Sequence, residues 1–387
     1  MKSDKFLFFI ASFLIAVGII FSLSLGVFSV LLYDYDNTHF FIRQLSIGII
    51  SIFLMWTLSK LNPEKILTFV CIYIFFLAMF CLMLAMPFMP SSLVREVNGA
   101  ARWIKLPGFS FAPVELFKIG FIYFLAWSFT RKIDGVKKPF LKEIGILFPY
   151  VVVFGIVILI IGSIQNDFGQ VVVLASVLFA MIVLAGVSRK IIGLILSFFA
   201  LAGFLLITSS QHRISRIHSW WSGIQDVVIS FLPSEMGNKL YIDDAQTPYQ
   251  ISHSLNAINN GGFFGEGIGL GTFKLGFLSE VHTDFVLAGI SEEVGFFGIL
   301  IIVILFYALL LRIFQTASNT SNQVYYLFSS GIGFMFLFSF MINSYGITSI
   351  TPVKGIAVPF LSYGGSQLLG SSVAIGCILM ISKRSKN

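Results

Sequence analysis

The amino-acid sequence predicts an all-α, polytopic integral membrane protein with about ten transmembrane helices and both termini in the cytoplasm. Of the 387 residues, 57% are hydrophobic and only 11% are charged, whereas about a quarter of an average soluble domain is charged. Apolar runs recur along the chain, and a run of about 20 apolar residues spans a bilayer as a helix. We therefore expect a single transmembrane domain, residues 1–387, and no soluble domain.

The predicted spans are the apolar runs between polar or Pro/Gly-rich breaks. They lie near residues 6–32, 43–60, 66–88, 114–130, 145–162, 170–187, 191–209, 285–311, 324–346 and 364–382. The segment at about 210–283 is too polar and too interrupted to be a span, so it is predicted to be one large extracytoplasmic loop. The first run follows Lys2 and Lys5 but is too long for a signal-peptide core, so we expect it to remain as the first helix.

Basic residues orient these spans. They concentrate on the side of the two termini, as in the segment 131–142, and the positive-inside rule places that side in the cytoplasm. The formal charge of +7 is therefore a topology signal, and no basic stripe indicates a nucleic-acid partner. The opposite face carries the 89–113 loop, the turn around Asp167, the large loop and the 347–363 loop.

Three carboxylates accompany the apolar run that starts near residue 285. Asp284 lies at the predicted membrane boundary, where it either caps a helix or takes part in chemistry. Glu292 and Glu293 lie about two helical turns deeper, where a charge is costly unless it is paired or hydrated. These two either form a buried ion pair that fixes helix packing or contribute to the chemistry directly, and both interpretations stay open.

The 89–113 loop places Arg102 and Lys105 beside Trp103 at the predicted outer interface. Residues of these types are ordinary membrane anchors. Arginine and lysine together can also hold phosphate groups. The loop therefore has both a structural and a binding interpretation.

Three other patterns indicate structure. Pro113 marks a helix start, and Glu115 in its first turn is spaced to pair with Lys118. The glycine-rich stretch 261–271 fits neither dinucleotide nor phosphate-loop spacing, so it is predicted to be flexible or closely packed re-entrant backbone. The 351–366 stretch, with its prolines and glycines, is predicted to be a shaped loop.

Taken in order, these stretches resemble the SEDS family of bacterial shape and division proteins over nearly the whole chain. The most specific matches are Val281–Phe285 followed by Glu292–Gly295, and Pro359–Ser366. Further matches are Asn98–Gly99 with Arg102–Trp103, Pro113 with Glu115 and Lys118, Gln165 with Asp167 and Gly169, and Tyr249–Gln250 with Ser254 and Ala257. Lys274–Leu275 resembles the division branch, FtsW, more than the elongation branch, RodA.

The resemblance implies a peptidoglycan glycosyltransferase that polymerises lipid II into glycan strands at the outer face of the cytoplasmic membrane during septal wall synthesis. Asp284 is the implied general base, because attack by a sugar hydroxyl needs a proton acceptor. The candidate substrate-binding residues are Arg102, Lys105, Lys274, His282, Thr283, Lys354 and Ser362. The residues expected to have structural or pairing roles are Glu115, Lys118, Asp167, Glu292 and Glu293.

The implied chemistry also suggests a cofactor and partners. Pyrophosphate leaves readily but needs positive charge, which basic side chains or a divalent cation, Mg²⁺ or Mn²⁺, can supply. No nucleotide or organic cofactor is expected. The implied partners are lipid II, the undecaprenyl-pyrophosphate-linked glycan, a class B penicillin-binding protein (the transpeptidase) and other divisome proteins at the division septum. We also expect a lateral groove near the 89–113 loop for the lipid tail.

Other functions remain open from the sequence. A lipid II flippase would use intramembrane charges such as Glu292, Glu293 and Lys118 as a path. The ionisable residues concentrate at one face, which favours the enzyme. A RodA-like elongation polymerase would share the chemistry, and a noncatalytic scaffold for division partners is the third alternative.

Overall fold

Long α-helices account for most of the chain in the computed structural model. It describes residues 3–32, 34–94, 101–106, 109–133, 139–208, 211–233, 236–237, 241–242 and 249–384. The helices are α1 (Lys5–Leu25), α2 (Val27–Leu32), α3 (His39–Lys60), α4 (Pro63–Phe69), α5 (Met79–Ala85), α6 (Pro113–Lys132), α7 (Phe140–Ile158), α8 (Phe168–Leu184), α9 (Arg189–Thr208), α10 (Gln211–Ile229), α11 (Tyr249–Gly261), α12 (Val286–Ser318), α13 (Gln323–Ile347) and α14 (Gly365–Ser382). π-Helical turns, Val70–Ala78 and Leu159–Ile164, continue α4 and α7, and a short 3-10 turn, Met86–Phe88, follows α5.

Each predicted span coincides with helical structure. Within the described residues, seven helices are long and apolar enough to cross a membrane: Lys5–Leu25, His39–Lys60, Pro63–Phe88, Phe140–Ile164, Val286–Ser318, Gln323–Ile347 and Gly365–Ser382. The shorter helix α8 is also apolar. The all-α, multi-pass membrane fold is therefore confirmed, whereas the count of ten crossings and the sidedness of the loops stay predictions.

Helix starts follow from local sequence. Side chains of Asp4, Asn62 and Asn322 accept hydrogen bonds from backbone N–H groups in the first turns of α1, α4 and α13. Asp167 does the same for α8 by accepting from Gln170 N. Pro113 occupies the first turn of α6, as predicted, where a missing N–H costs nothing.

The helix α14 forms the centre of the bundle. Of its span, 83% is buried, whereas only 17% of the Pro63–Phe88 span is buried. Small residues permit the close packing: a Cβ on Gly376 would lie 2.6 Å from Leu58 Cδ1 of α3, and one on Gly370 would lie 3.0 Å from Glu115 Cβ of α6. The central helix therefore connects α3 and α6, which lie next to the site described below.

The predicted loops contain more regular structure than the sequence indicated. The 210–283 segment includes α10 and α11, which are too polar on average to be recognised as apolar runs. In the 89–113 loop, β1 (Ile104–Leu106) and β2 (Phe109–Phe111) form an antiparallel pair. These strands have only three residues each, too few for a recognisable alternating pattern.

The helix α12 is interrupted at Gly295, which has φ 65° and ψ −168°. Its opened backbone pairs with the glycine-rich stretch through four hydrogen bonds: Glu266 N to Glu292 O (2.9 Å), Gly267 N to Glu293 O (2.9 Å), Phe296 N to Gly262 O (2.9 Å) and Phe297 N to Phe263 O (3.1 Å). A Cβ at Gly265 would lie 2.3 Å from Glu293 O, so glycine is required for this approach. The stretch is closely packed backbone, one of the two predicted alternatives.

Candidate active site

Asp284 lies immediately before α12, where the chain enters the bundle. Its side chain is half-buried. It rests against Gly355, which has φ +58°, and a Cβ built there would be 2.8 Å from Asp284 Oδ2. Only glycine combines this backbone conformation with room for the carboxylate. The loop between α13 and α14 thus forms one wall of the site.

The pKa of Asp284 is raised to about 6, mainly by burial, with a contribution from the nearby carboxylates of Glu280 and Asp167 and an opposing effect of Arg102. At pH 7 such a group is ionised in roughly nine molecules of ten. It is also far more basic than an ordinary aspartate. This combination suits a general base, which works best when its pKa lies near the working pH.

Arg102 is held by the turn that precedes α8. Its Nε donates to Gln165 O (2.8 Å) and its Nη2 to Asn166 O (2.7 Å), and Nη1 lies 3.9 Å from Asp167 Oδ2. About a third of the Arg102 side chain remains exposed, at 32%. Burial raises the pKa of Asp167, and Arg102 opposes that rise. The predicted residues Arg102 and Asp167 thus form one charged unit that acts electrostatically on Asp284.

His282 and Thr283 contribute mainly structure. The His282 ring is buried and lies 4.9 Å from the Phe40 ring and 5.6 Å from the Tyr363 ring, measured between centroids. Burial lowers its pKa, although Glu280 opposes this, and so favours the neutral imidazole. The Thr283 hydroxyl is shared between Glu280 O (3.1 Å) and Glu280 Oε2 (2.9 Å). Substrate contacts of these two side chains stay predictions.

The structure corrects the role predicted for Lys274. Its side chain is only 2% exposed, and its Nζ lies 2.6 Å from Glu293 Oε1 and 2.9 Å from Ser24 Oγ. The Ser24 hydroxyl also donates to Glu293. Because the ammonium compensates a buried carboxylate, it is not available to a pyrophosphate, and Glu293 has the predicted pairing role.

Ser362 also differs from its prediction as a substrate ligand. It is fully buried, its Oγ donates to Thr283 O (2.7 Å) and the same oxygen accepts from Val358 N (2.8 Å). The hydroxyl therefore both donates and accepts a hydrogen bond within the protein. Ser362 therefore joins two main-chain segments and does not face a substrate.

Glu292 fastens the glycine-rich stretch to α12. Its carboxylate accepts from Thr272 N (2.6 Å), Phe273 N (3.2 Å) and Asn260 Nδ2 (3.0 Å). The residue is 1% exposed. Backbone N–H groups therefore compensate this charge, which agrees with the predicted structural role.

Glu115 and Lys118 form the predicted ion pair, with Nζ and Oε2 separated by 2.9 Å. Lys118 also donates to Gln170 Oε1 (2.8 Å), so the pair connects α6 with α8. These three polar side chains border a small pocket. The other lining residues are Met335, Phe336, Ser339, Ile356, Ala357, Pro359, Gln367, Gly370 and Ser371.

Besides Arg102, two predicted cations remain candidates for substrate contact. Lys105 is exposed on β1, and Lys354 is half-buried beside Gly355. Asn98 and Gly99, which carry part of the resemblance, lie outside the described residues, as do parts of the 89–113 and 210–283 loops. The predicted lateral groove falls partly on those segments and stays a prediction. Within the described chain, no group of three His, Cys, Asp or Glu residues could hold a metal ion.

Three residues near the site, Gln44, Asn343 and Gly355, were not predicted from the sequence. Gln44 and Asn343 are buried amides within apolar runs, at 1% and 5% exposure, and a polar side chain at membrane depth could have marked them. Gln44 Nε2 donates to Ser362 O (3.3 Å), while its Oε1 accepts from Gly364 N (3.3 Å). Gly355 lies in the 351–366 stretch, but its contact with Asp284 arises only from folding.

Comparison with known proteins covers the whole chain. Residues 4–387 match the model of the family FTSW_RODA_SPOVE, described as "Cell cycle protein". The chain is 46% identical over 388 residues to a "Probable peptidoglycan glycosyltransferase FtsW" of Helicobacter pylori strain ATCC 700392 / 26695, covering 100% of both chains. It is 36% identical over 289 residues to a protein of the same name from Trichlorobacter lovleyi, covering 74% of this chain and 70% of the relative.

Solved structures share the fold. A chain from "Structural coordination of polymerization and crosslinking by a peptidoglycan synthase complex" matches with a TM-score of 0.69 at 23% identity, covering 99% of this chain and 98% of that one. The rod shape determining protein RodA of Thermus thermophilus matches with a TM-score of 0.65 at 22% identity, covering 100% and 99%. At these identities the likeness supports the helical architecture alone.

Proposed function

Because this chain belongs to the FtsW, RodA and SpoVE family of cell cycle proteins, the SEDS family, we propose that it is a peptidoglycan glycosyltransferase of the FtsW branch. It polymerises lipid II into glycan strands during septal cell-wall synthesis. Relatives that carry this name match over the full chain at 46% identity. The observation in this structure that supports the activity best is the half-buried Asp284 carboxylate, with its raised pKa of about 6, beside Arg102.

Asp284 is suited to take the proton of the attacking sugar hydroxyl. In the proposed step, that hydroxyl oxygen bonds to the anomeric carbon of the other substrate, and the bond from this carbon to the pyrophosphate oxygen breaks. The hydroxyl proton passes to the Asp284 carboxylate, and undecaprenyl pyrophosphate leaves with the bonding electrons. Pyrophosphate needs no protonation to leave, so one carboxylate is sufficient, in contrast to glycosidases that use two.

We assign the positive charge at the pyrophosphate to Arg102, Lys105 and Lys354. The assignment of Arg102 is supported by the exposure of about a third of its side chain and by its electrostatic effect on Asp284. Lys354 is supported by its place beside Gly355, which touches the same carboxylate. Lys274 is excluded from this set by its pairing with Glu293.

We also propose that Mg²⁺ or Mn²⁺ accompanies the pyrophosphate. Hard divalent cations prefer several oxygen ligands, which phosphate oxygens would provide. The described residues alone do not form a three-carboxylate site.

The proposal includes a place and a partner. Asp284 would face the outer side of the cytoplasmic membrane at the division septum, where lipid II is consumed. A class B penicillin-binding protein would crosslink the new strands, together with other divisome proteins. The structurally similar chain from a complex that coordinates polymerization and crosslinking supports such a pairing.

The test is polymerisation of purified lipid II in liposomes by the wild type, Asp284→Ala and Glu64→Ala, each with and without a penicillin-binding partner whose transpeptidase is inactivated. Glu64 is a matched control, because its exposed carboxylate only pairs with Arg384 at 3.4 Å. We expect glycan from the wild type and Glu64→Ala and none from folded Asp284→Ala. Full activity of Asp284→Ala would reject Asp284 as the base. Lipid II translocation without any polymer would favour the flippase.

A further inference from the structure

Three consecutive carbonyls at the site are each held by a donor from another part of the chain. Tyr363 N donates to His282 O (2.8 Å), Ser362 Oγ to Thr283 O (2.7 Å), and Asn343 Nδ2 to Asp284 O (2.6 Å). This arrangement fixes the main chain that carries the proposed base. Ser362 and Tyr363 belong to the Pro359–Ser366 motif, whereas Asn343 comes from the apolar helix α13.

Asn343 makes a second bond that reaches the other side of the carboxylate. The same Nδ2 donates to Ile356 O at 2.6 Å. Ile356 follows Gly355, against which Asp284 Oδ2 rests. One amide group therefore connects the main chain that carries Asp284 with the main chain that the Asp284 carboxylate touches.

The orientation of the amide follows from its surroundings. Rotating it by 180° would place Oδ1 against two carbonyl oxygens and lose both hydrogen bonds. Within the described residues, Oδ1 is buried and has no hydrogen-bond partner. Asn343 is only 5% exposed, so water cannot readily replace its two N–H bonds. Both hydrogen bonds that the Nδ2 group donates thus go to the two main-chain segments around Asp284.

We propose that Asn343 is a positioning residue that holds the Asp284 carboxylate against Gly355 in the geometry needed to accept the hydroxyl proton. This inference rests on the proposed glycosyltransferase function. Asn343 itself touches the main chain and not the carboxylate oxygens, so it acts through Asp284. A displacement of about 1 Å in a reacting group can reduce turnover about 100-fold. Loss of the two buried hydrogen bonds that Asn343 donates should therefore reduce turnover strongly.

The test compares Asn343→Ala with Asn322→Ala on the same helix. Asn322 caps α13 by accepting from Val324 N (2.9 Å), so its loss weakens the helix without touching the site. The full-length variants, the wild type and Asp284→Ala are assayed with lipid II over a range of concentrations, in liposomes with the transpeptidase-inactive partner. We expect Asn343→Ala to lower kcat about 10- to 100-fold with KM changed less than about twofold, and Asn322→Ala to leave kcat unchanged.

The pH dependence of kcat is a second measurement, and general destabilisation of the protein would not shift it. Glu280, Asp167 and Arg102 are the charged groups that act on Asp284, and all remain in Asn343→Ala. A loosened carboxylate gains water, so the acid limb of its activity should shift to lower pH. If Asn343→Ala does not fold, Asn343→Ser, which keeps one hydroxyl donor, is expected to give an intermediate kcat and the same direction of shift.

The outcomes separate this inference from the function on which it rests. The positioning role would be overturned if Asn343→Ala had a normal kcat and pH profile while the wild type was active and Asp284→Ala was inactive. The proposed glycosyltransferase function would still hold in that case. Equal losses of kcat in Asn343→Ala and Asn322→Ala would also overturn it, because helix stability would then explain both. A wild type that makes no glycan would instead reject the proposed function.

Discussion

Replacing Lys274 with methionine tests whether this lysine is structural, as the fold indicates, or binds substrate, as the sequence suggested. The ammonium lies 2.6 Å from Glu293 Oε1, and the two side chains are 2% and 0% exposed. In Lys274→Met, among the described residues, only the Ser24 hydroxyl would still pair with that carboxylate, and Glu293 Oε2 is already buried without a partner there. Breaking such a buried pair costs about 3–5 kcal/mol, so we expect a clearly lower melting temperature in detergent.

The double variant Lys274→Met/Glu293→Gln distinguishes the two roles. It removes both charges, and the loss of both partners of a buried pair is often close to neutral for stability. We expect it to recover most of the melting temperature and most of the polymerase activity. A control variant, Lys60→Met, should change neither, since Lys60 is exposed over the Trp56 ring. A double variant that is as stable as the wild type but inactive would show that Lys274 contributes to catalysis and refute the structural interpretation.

Three further predictions concern the base and the proposed divalent cation. Gly355→Ala places a methyl group 2.8 Å from Asp284 Oδ2 at φ +58°, so kcat should fall at least about tenfold. The matched control is Gly145→Ala, where nothing lies within 4 Å of the new Cβ. A normal kcat for Gly355→Ala would contradict the contact with Asp284. Because the folded pKa of Asp284 is raised to about 6 from 3.8, the stability associated with this group is present at low pH and is lost as pH rises between those values. We expect kcat/KM to fall below about pH 6, and the inactive variant Asp284→Asn to be more stable than the wild type by on the order of 2 kcal/mol at pH 7. Unchanged stability of Asp284→Asn at pH 7 would argue against a desolvated carboxylate. Chelation of divalent cations with EDTA should abolish polymerisation and Mg²⁺ or Mn²⁺ should restore it, while full activity in EDTA would exclude the proposed metal.

The predictable part of this protein is the part that the bilayer constrains. Apolar runs of spanning length located the helices, because unpaired backbone is not tolerated in lipid. The Glu115–Lys118 pair was also predictable, since residues three apart on a helix are neighbours. By contrast, Lys274 meets Ser24 across 250 positions of sequence, and no local pattern encodes such a contact. Its charge alone suggested a role that its burial contradicts.

The contacts of the carboxylates explain why Asp284 is the one suited to act as a base. Glu115 is paired with Lys118, and Glu293 is paired with Lys274. Glu292 is bound by the N–H groups of a closely packed loop. Each of these charges is therefore compensated by an ammonium or an N–H group.

Asp284 differs from them in the part of the chain that the structure describes. There, its main-chain carbonyl is held by Asn343, but no side chain donates a hydrogen bond to its carboxylate. A half-buried carboxylate without donors holds its negative charge at a cost and has a raised pKa. It gains most from binding a proton. The fold thus fixes the backbone of this residue and leaves its carboxylate oxygens able to accept a proton from a substrate hydroxyl.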